Sequence, residues 1–264
     1  MSGSKVTEFV AGMFGVEGKV VAVTGAGGHL CGTMALGLAK AGAKVVAMDL
    51  RPEKLQPLEV QIDESGGDFL GLELDVRERS QFEAALKSAT EKFGRVDVLI
   101  NGSGINSASL PLEIQVDDWD AIFDVNLRGT LLGCQVFGEH MLENGSGSII
   151  NISSASSGPP LSKAFAYSAS KAGVKNLTAN LGREWATRGV RVNALRPGFF
   201  PTEWNRENFI TPEREAAILG HTPMGRFGEP EELLGAVIWL ASDASQFVTG
   251  TEVVVDGGFT AMTI

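Results

Sequence analysis

A serine, a tyrosine and a lysine in the second half of the chain have the types and spacing of a proton-transfer site. Tyr167 and Lys171 are four residues apart, so on a helix the phenol and the ammonium project from the same face. A free phenol with a pKa of about 10 is a poor base at neutral pH, and a close cation lowers that pKa. Ser154 lies thirteen residues before Tyr167 and can hold a substrate oxygen by a hydrogen bond. Together they predict acid–base chemistry at an oxygen atom of a small molecule.

Tyr167 is also the only tyrosine in the chain, which has fourteen phenylalanines. Since phenylalanine supplies the aromatic packing, a solitary phenol is expected to be kept for its hydroxyl group. A buried tyrosine with a purely structural hydrogen bond is the alternative.

The glycine-rich segment 24–32, TGAGGHLCG, follows a short β-branched run and precedes a helical pattern. Such a turn lets the backbone approach a pyrophosphate, and the helix N-terminus supplies free N–H donors. Any sharp strand-to-helix turn can use glycine, so the cluster alone does not identify a ligand. Its position after the first strand favours a dinucleotide site. The predicted contacts are Gly25, Gly27, Gly28, His29 and Leu30.

Asp49 ends the second predicted strand, twenty-four residues after Gly25. A carboxylate at that point can bind a ribose 2′-hydroxyl and would repel a 2′-phosphate, which favours NAD over NADP. Arg51, two residues further on, can weaken that repulsion. A helix-capping role for Asp49 before Pro52 is the alternative, and it is compatible with ribose binding.

Two later strand ends carry small or polar residues that suit the same ligand. Asp75 and Val76 close the third predicted strand, where the adenine edge of a dinucleotide is expected. Asn101 and Gly102 close the fourth, and small residues there let the backbone run flush against a cofactor. Turn chemistry alone can explain either segment.

Short β-branched runs alternate with longer amphipathic stretches along the chain. The predicted strands are 20–24, 44–49, 69–74, 96–101, 147–152, 191–195 and 252–255, and the predicted helices are 31–41, 80–93, 119–142, 166–187 and 230–242. Strands that are apolar on both faces and joined by helices imply a parallel sheet covered on both sides. We predict a single α/β domain over residues 1–264. It is a Rossmann fold with a doubly wound seven-stranded sheet, in the order 3-2-1-4-5-6-7, and helices on both faces.

Composition restricts the partners. The formal net charge of −10 argues against nucleic acid, whose binding requires a basic face. No apolar run is long enough to span a membrane, and the two cysteines lack metal-ligand spacing. We therefore expect a cytoplasmic protein with reduced, packed thiols, no metal and no membrane partner.

The chain resembles the short-chain dehydrogenase/reductase family from about residue 18 to residue 259. The motifs that carry the resemblance are the glycine-rich segment, Asp75-Val76, Asn101-Gly102-Ser103-Gly104, Asn126 in DVNL, Ser154, Tyr167-Ser168-Ala169-Ser170-Lys171, Arg191-Val192-Asn193, Pro197-Gly198 and Val255-Asp256-Gly257-Gly258. The resemblance implies a catalytic tetrad of Asn126, Ser154, Tyr167 and Lys171, with tyrosine as the acid/base. It also implies that Pro197, Gly198 and Thr202 line the nicotinamide end of the cofactor. His29 and Cys31 stand where the family has glycines.

Residues 199–222 should form the variable cover over the substrate, with aromatic side chains next to polar ones. Simple closure of a lid or packing of a subunit contact is the alternative. The candidate substrate contacts are Ser103, Ser156, Phe199, Trp204 and Arg206. Segments 197–203 and 221–230 resemble those of sugar-acid members of the family, such as gluconate 5-dehydrogenases and mannonate or fructuronate oxidoreductases. A substrate carboxylate would pair with Arg206, His221 or Lys163.

The residues therefore favour an NAD-dependent oxidoreductase that interconverts a secondary alcohol and a ketone of a sugar, sugar acid or polyol. An NADPH-preferring 3-oxoacyl or other ketone reductase is the first alternative, and a non-catalytic nucleotide-binding protein is the second. The helices 119–142 and 166–187 are expected to carry apolar faces into a homo-oligomer, and the resemblance implies a tetramer.

Overall fold

The computed structural model describes residues 3–159, 161–202 and 210–263. Within these ranges, seven parallel strands form one sheet in the order β3-β2-β1-β4-β5-β6-β7, as the sequence predicted. The strands are β1 (Val20–Thr24), β2 (Lys44–Asp49), β3 (Phe69–Glu73), β4 (Val98–Asn101), β5 (Gly147–Ile152), β6 (Val190–Pro197) and β7 (Glu252–Val255).

Four strands have the predicted bounds. The other three differ at their ends, because a strand extends only as far as a neighbouring strand pairs with it. The fourth strand begins at Val98 rather than residue 96, since its pairing with β1 starts there, opposite Val21. The third strand ends at Glu73, opposite the last residue of β2. The sixth strand is longer than predicted, because β5 and β7 together supply partners from Val190 to Pro197.

Helices cover both faces of this sheet. They are α1 (Gly3–Phe14), α2 (His29–Lys40), α3 (Gln56–Glu64), α4 (Arg79–Phe93), α5 (Val116–Phe123), α6 (Gly129–Glu143), α7 (Phe165–Trp185), α8 (Pro212–Gly220) and α9 (Leu234–Ala241). On β1, Val21 and Val23 pack into the cluster under α2 and α9, whereas Val20 and Ala22 pack into the cluster under α4 and α6. The strand is apolar on both faces because both faces are covered. No helix of the described ranges is both long and apolar enough to cross a membrane.

The segment predicted as one helix over 119–142 is helical throughout, but the type of helix changes within it. A wider π-helical turn, Asp124–Arg128, separates α5 from α6. Turns of this kind insert a residue into a helix and often occur at functional sites. Here the turn contains Asn126, which is fully buried. The sequence analysis also missed α1, α3 and α8. Proline occupies the first turn of both α3 and α8, where it is tolerated because its missing N–H has no intrahelical acceptor.

Candidate active site

The glycine-rich segment forms the turn from β1 into α2, and we call it the glycine turn (residues 24–32). Gly25 has φ of +69°, a conformation that side chains disfavour, and its carbonyl accepts a hydrogen bond from the Gly28 amide at 2.9 Å. Helix α2 begins immediately afterwards at His29, which is exposed, as is Gly28. The first amides of α2 therefore point out of the sheet edge, and this arrangement fits a pyrophosphate.

The departures from the family pattern compensate each other in space. Cys31 is buried, and a Cβ atom placed on Gly102 would lie only 2.1 Å from its Sγ. The extra side chain at position 31 is thus accommodated by the absence of one at position 102. The Gly102 and Ser103 amides donate to Thr24 Oγ1 at 3.0 and 3.2 Å, so this loop is fixed to the end of β1.

Asp49 lies at the end of β2 and contacts the glycine turn directly. Its Oδ2 accepts from the Gly27 amide at 3.0 Å and its Oδ1 accepts from the Arg51 amide at 3.1 Å. Arg51, not Asp49, is the residue that precedes the following short helix, so the helix-capping alternative is wrong. A Cβ on Gly27 would meet Asp49 and Lys54, which shows how closely this carboxylate and a lysine stem flank the turn.

The other predicted cofactor contacts lie at the same sheet edge but present different groups to it. Asp75 lies two residues beyond β3 and forms an ion pair with Arg77, which holds the pKa of the aspartate below its usual value. Val76 is buried. The Asn101 side chain turns into the core, where Nδ2 donates to Asn151 Oδ1 at 2.9 Å, so only its backbone faces the edge.

Ser154 and Tyr167 meet on the other side of that edge. Ser154 follows β5, and Tyr167 lies in the first turn of α7. Burial raises the pKa of Tyr167, and a hydrogen bond with the Ser154 side chain lowers it by a smaller amount. Ser154 Oγ also accepts from the Ser156 hydroxyl at 3.1 Å and from the Ser156 amide at 3.2 Å. The buried Ser156 thus fixes the serine that faces the phenol.

Lys171 lies one helical turn after Tyr167 and faces the same side, as the spacing predicted. Its Nζ is 5.7 Å from the centroid of the Tyr167 ring and donates to the Ile152 carbonyl at 2.7 Å. Burial lowers the pKa of Lys171 to about 8. The net effect of burial and the Ser154 hydrogen bond leaves the pKa of Tyr167 above its ordinary value.

Asn126 joins the catalytic helix to the loop after β4. Its Oδ1 accepts from the Ile105 amide at 2.8 Å, and its Nδ2 donates to the Ile105 carbonyl and to Ser170 Oγ, each at 3.0 Å. A Cβ on Gly104 would lie 3.4 Å from Asn126 Oδ1 and 3.6 Å from Lys171 Nζ. All four residues of the predicted tetrad therefore lie together.

A buried ion pair that the sequence analysis missed supports the serine segment. Glu252 of β7 accepts the hydroxyls of Ser153 and Ser157 at 2.6 and 2.8 Å, and its other oxygen pairs with Arg196 at 3.0 Å. Arg196 also donates to the Ala155 carbonyl at 2.9 Å. The partners are 56 to 99 residues apart, so no local pattern announced them. We call the segment Ser153–Ser157, together with Tyr167 and Lys171, the catalytic wall.

A cavity of about 640 Å³ opens beside the catalytic wall, lined by Leu30, Gly104 and Gly198 from the cofactor side. Phe199 and Phe200 form part of its apolar wall, and Lys163 and Arg214 bring charge to it. Pro197 ends β6, and Thr202 is partly buried just beyond it. The sequence analysis missed Arg214 on α8, because the charged residues of this helix do not indicate which of them points to a cavity.

Of the other candidates for substrate contact, Ser103, Ser156 and His221 are absent from the described lining of this cavity. His221 packs edge-on against Phe259, with ring centroids 4.8 Å apart. Trp204 and Arg206 lie outside the described residues.

Comparisons with known proteins agree with this geometry. A family model described as enoyl-(acyl carrier protein) reductase matches residues 29–260. D-threitol dehydrogenase of Mycolicibacterium smegmatis is 37% identical over 247 residues, covering 94% of this chain and 95% of that protein. 2-Dehydro-3-deoxy-D-gluconate 5-dehydrogenase of Escherichia coli is 36% identical over 251 residues, covering 94% and 98%.

Among solved structures, a gluconate 5-dehydrogenase of Burkholderia cenocepacia in complex with NADP and tartrate superimposes with a TM-score of 0.91. It is 36% identical, and the match covers 96% of this chain and 100% of that one. The sheet order agrees with this match. The chain belongs to the short-chain dehydrogenase/reductase family of oxidoreductases, as its motifs predicted.

Proposed function

We propose that the protein interconverts a secondary alcohol and a ketone of a sugar acid or polyol, with a nicotinamide coenzyme as redox partner and Tyr167 as general acid/base. The observation that carries the proposal is the meeting of Ser154, Tyr167 and Lys171 at the sheet edge that also holds the glycine turn. When bound, the coenzyme accepts or supplies the hydride. The chain itself has to hold the substrate oxygen and move one proton.

Each member of the tetrad has a separate task in this proposal. Ser154 binds the substrate oxygen, and the Tyr167 hydroxyl exchanges a proton with it. Burial alone disfavours the phenolate, so the positive charge that favours it must come from Lys171 and from an oxidised nicotinamide ring acting together. Asn126 positions the loop beside Lys171.

The substrate class is supported by the cavity and by the names of the relatives. The cavity joins phenyl rings, which suit the C–H faces of a sugar, to polar and cationic groups that suit its hydroxyls and acid. D-threitol is a polyol and gluconate a sugar acid, and the two dehydrogenases named for them match nearly the whole chain. The alternative of an acyl reductase keeps support from the description of the family model.

For the coenzyme, we propose NAD rather than NADP, because Asp49 places a negative charge where a 2′-phosphate would bind. Arg51 and Lys54 are the competing feature, since their charges favour a phosphate, and the solved gluconate 5-dehydrogenase holds NADP. Asp49→Asn removes the charge and keeps an oxygen for the Gly27 amide. We expect the ratio of kcat/KM with NAD to that with NADP to fall about tenfold or more. An unchanged ratio would assign coenzyme selection to another residue.

The function is tested with purified protein, both coenzymes and a panel of six-carbon sugar acids, four- to six-carbon polyols and 3-oxoacyl thioesters. We expect turnover of a sugar acid or a polyol. In Tyr167→Phe, kcat should fall by about 10³-fold, within the usual range for general acid–base catalysis, while NADH binding followed by fluorescence stays unchanged. Retention of most turnover by this variant would contradict the role of Tyr167. Preference for the thioester with NADPH would favour the acyl reductase, and binding without turnover of any substrate would favour a nucleotide-binding protein.

We further propose that residues 1–264 act as one catalytic domain, covered at about 199–222, in a cytoplasmic homotetramer. The oligomer is supported by exposed apolar side chains near the two helices that are expected to associate. They are Leu112, Val116 and Phe165, which lie just before these helices or at their start. Both cysteines are free and buried, which suits a reducing compartment. A monomeric mass by light scattering at micromolar concentration would contradict the oligomer.

A further inference from the structure

The cavity beside the catalytic wall carries a charge opposite to that of the chain. The protein has 32 acidic and 22 basic residues, yet Lys163 and Arg214 contribute the charges of the described cavity lining, and no carboxylate does. A net negative protein that collects two cations around one cavity creates a local positive potential there.

Neither cation has a described protein partner that would explain its place. The Arg214 amide donates to Thr211 Oγ1 at 3.3 Å, but within the described ranges neither the Lys163 ammonium nor the Arg214 guanidinium forms an ion pair or a hydrogen bond. Glu213 and Glu215 flank Arg214 in the chain, and within the described ranges neither forms an ion pair with it. Hydrogen bonds of Glu213 with its own amide and with Thr211 hold the pKa of its carboxyl below the usual value. The charge of Arg214 is therefore left facing the cavity.

The backbone at Lys163 has an unusual conformation. Lys163 has φ of 58°, and it is the one non-glycine residue with positive φ among the residues the structure describes. Residues with a Cβ enter this region at a cost, and such strain clusters at ligand sites. The residue lies in the turn that enters α7, four positions before Tyr167, and it lines the cavity.

We propose that Lys163 and Arg214 bind the carboxylate of the substrate, so that the cavity selects a sugar acid over a neutral polyol of the same length. The inference rests on the proposed function and narrows its substrate class. The guanidinium can pair with both carboxylate oxygens, and the lysine adds a second positive charge. Phe199 and Phe200 then pack against the carbon chain while Ser154 holds the oxygen that reacts.

The test compares acids and polyols of equal length, D-gluconate with D-sorbitol and D-mannonate with D-mannitol, using the preferred coenzyme. The variants are Lys163→Asn, since asparagine tolerates the left-handed conformation, and Arg214→Gln. Each should raise KM for the acids about tenfold, which corresponds to 1.4 kcal/mol, and leave kcat and the polyol kinetics nearly unchanged. Lys163→Arg, which keeps the positive charge, should retain most of the affinity for the acids. Lys87→Gln, which removes an exposed cation on α4, is the matched control and should change neither.

Two further measurements separate this inference from the proposed function. Calorimetric titration of D-gluconate into the protein saturated with coenzyme should show binding that weakens with salt and is lost in the double variant. Equal changes for acids and polyols, better turnover of polyols by the unaltered protein, or weaker NADH binding in the two variants would overturn the carboxylate site while leaving the dehydrogenase activity in place. Turnover of 3-oxoacyl thioesters alone, with no binding of the sugar acids, would overturn both.

Discussion

The glycine turn and the catalytic wall face each other at the carboxyl edge of the sheet, but they are built from different materials. The glycine turn uses backbone amides and missing side chains, and its Cys31 thiol fills the space that a Cβ on the neighbouring Gly102 would need. The catalytic wall uses buried charge: Lys171 is 3% exposed, and the Glu252–Arg196 pair beneath it is nearly as enclosed. Substitutions in the glycine turn should therefore be harmful when they add atoms, whereas substitutions in the catalytic wall should be harmful when they leave a buried charge without a partner.

The largest effect of this difference is expected at Glu252. In Glu252→Gln a single carbonyl oxygen replaces the two carboxylate oxygens that serve Ser153, Ser157 and Arg196. Arg196 would remain buried without its counter-charge, and removing one partner of a buried pair costs about 3–5 kcal/mol. We expect a loss of that order in urea unfolding, with a fall in kcat because the segment that carries Ser154 loosens.

Lys175→Gln is the matched control for this variant, because Lys175 pairs with the same carboxylate at 3.6 Å from a half-exposed position. A surface pair of that kind contributes about 0–1 kcal/mol. Equal losses in the two variants would mean that Glu252 acts through its pair with Lys175 and not through the buried network.

The same contrast explains what the sequence could predict. The glycine turn, the Asp49 position and the Tyr167–Lys171 pair depend on residues close along the chain, and local spacing identified all of them. The support from Glu252 depends on contacts between residues more than 50 positions apart. The role of Arg214 depends on which face of a short helix meets the cavity. The seven strands followed from the alternation of patterns and their order from the doubly wound fold that it implies. The π-helical turn at Asn126 was not predicted, because the apolar periodicity continues through it.

In the glycine turn the expected effect is smaller and purely steric. Gly102→Ala places a Cβ against Cys31 Sγ and near the Thr24 carbonyl, and overpacking of this kind costs about 1–3 kcal/mol. We expect a lower unfolding free energy and weaker coenzyme binding. Cys31→Ala in the same chain should recover a large part of both losses, since it removes the closer of the two contacts. A double-mutant cycle with additive effects would show that positions 31 and 102 do not compensate each other.

The smallest effect is a pH dependence that belongs to the buried ammonium of Lys171. Its pKa of about 8 lies below the ordinary 10.5, so above pH 8 the unfolded chain binds more protons than the folded one and stability from this residue rises with pH. Burial raises the pKa of Cys31 and Cys134 to about 12, which opposes the rise once unfolded thiols ionise above pH 9. The useful window is therefore pH 8 to 9.

Lys171→Met tests this cost directly, because the variant keeps the packing volume and removes the proton. The free energy of unfolding of the variant should exceed that of the unaltered protein by the largest amount at pH 7, where the buried ammonium costs most. That advantage should shrink by about 1 kcal/mol between pH 8 and 9. Lys87→Met, at an exposed position, should show no such trend. A flat difference for Lys171→Met would mean that the lysine keeps its ordinary pKa in the folded protein. The catalytic wall would then hold its charge without a cost to stability, and the contrast with the glycine turn would reduce to geometry.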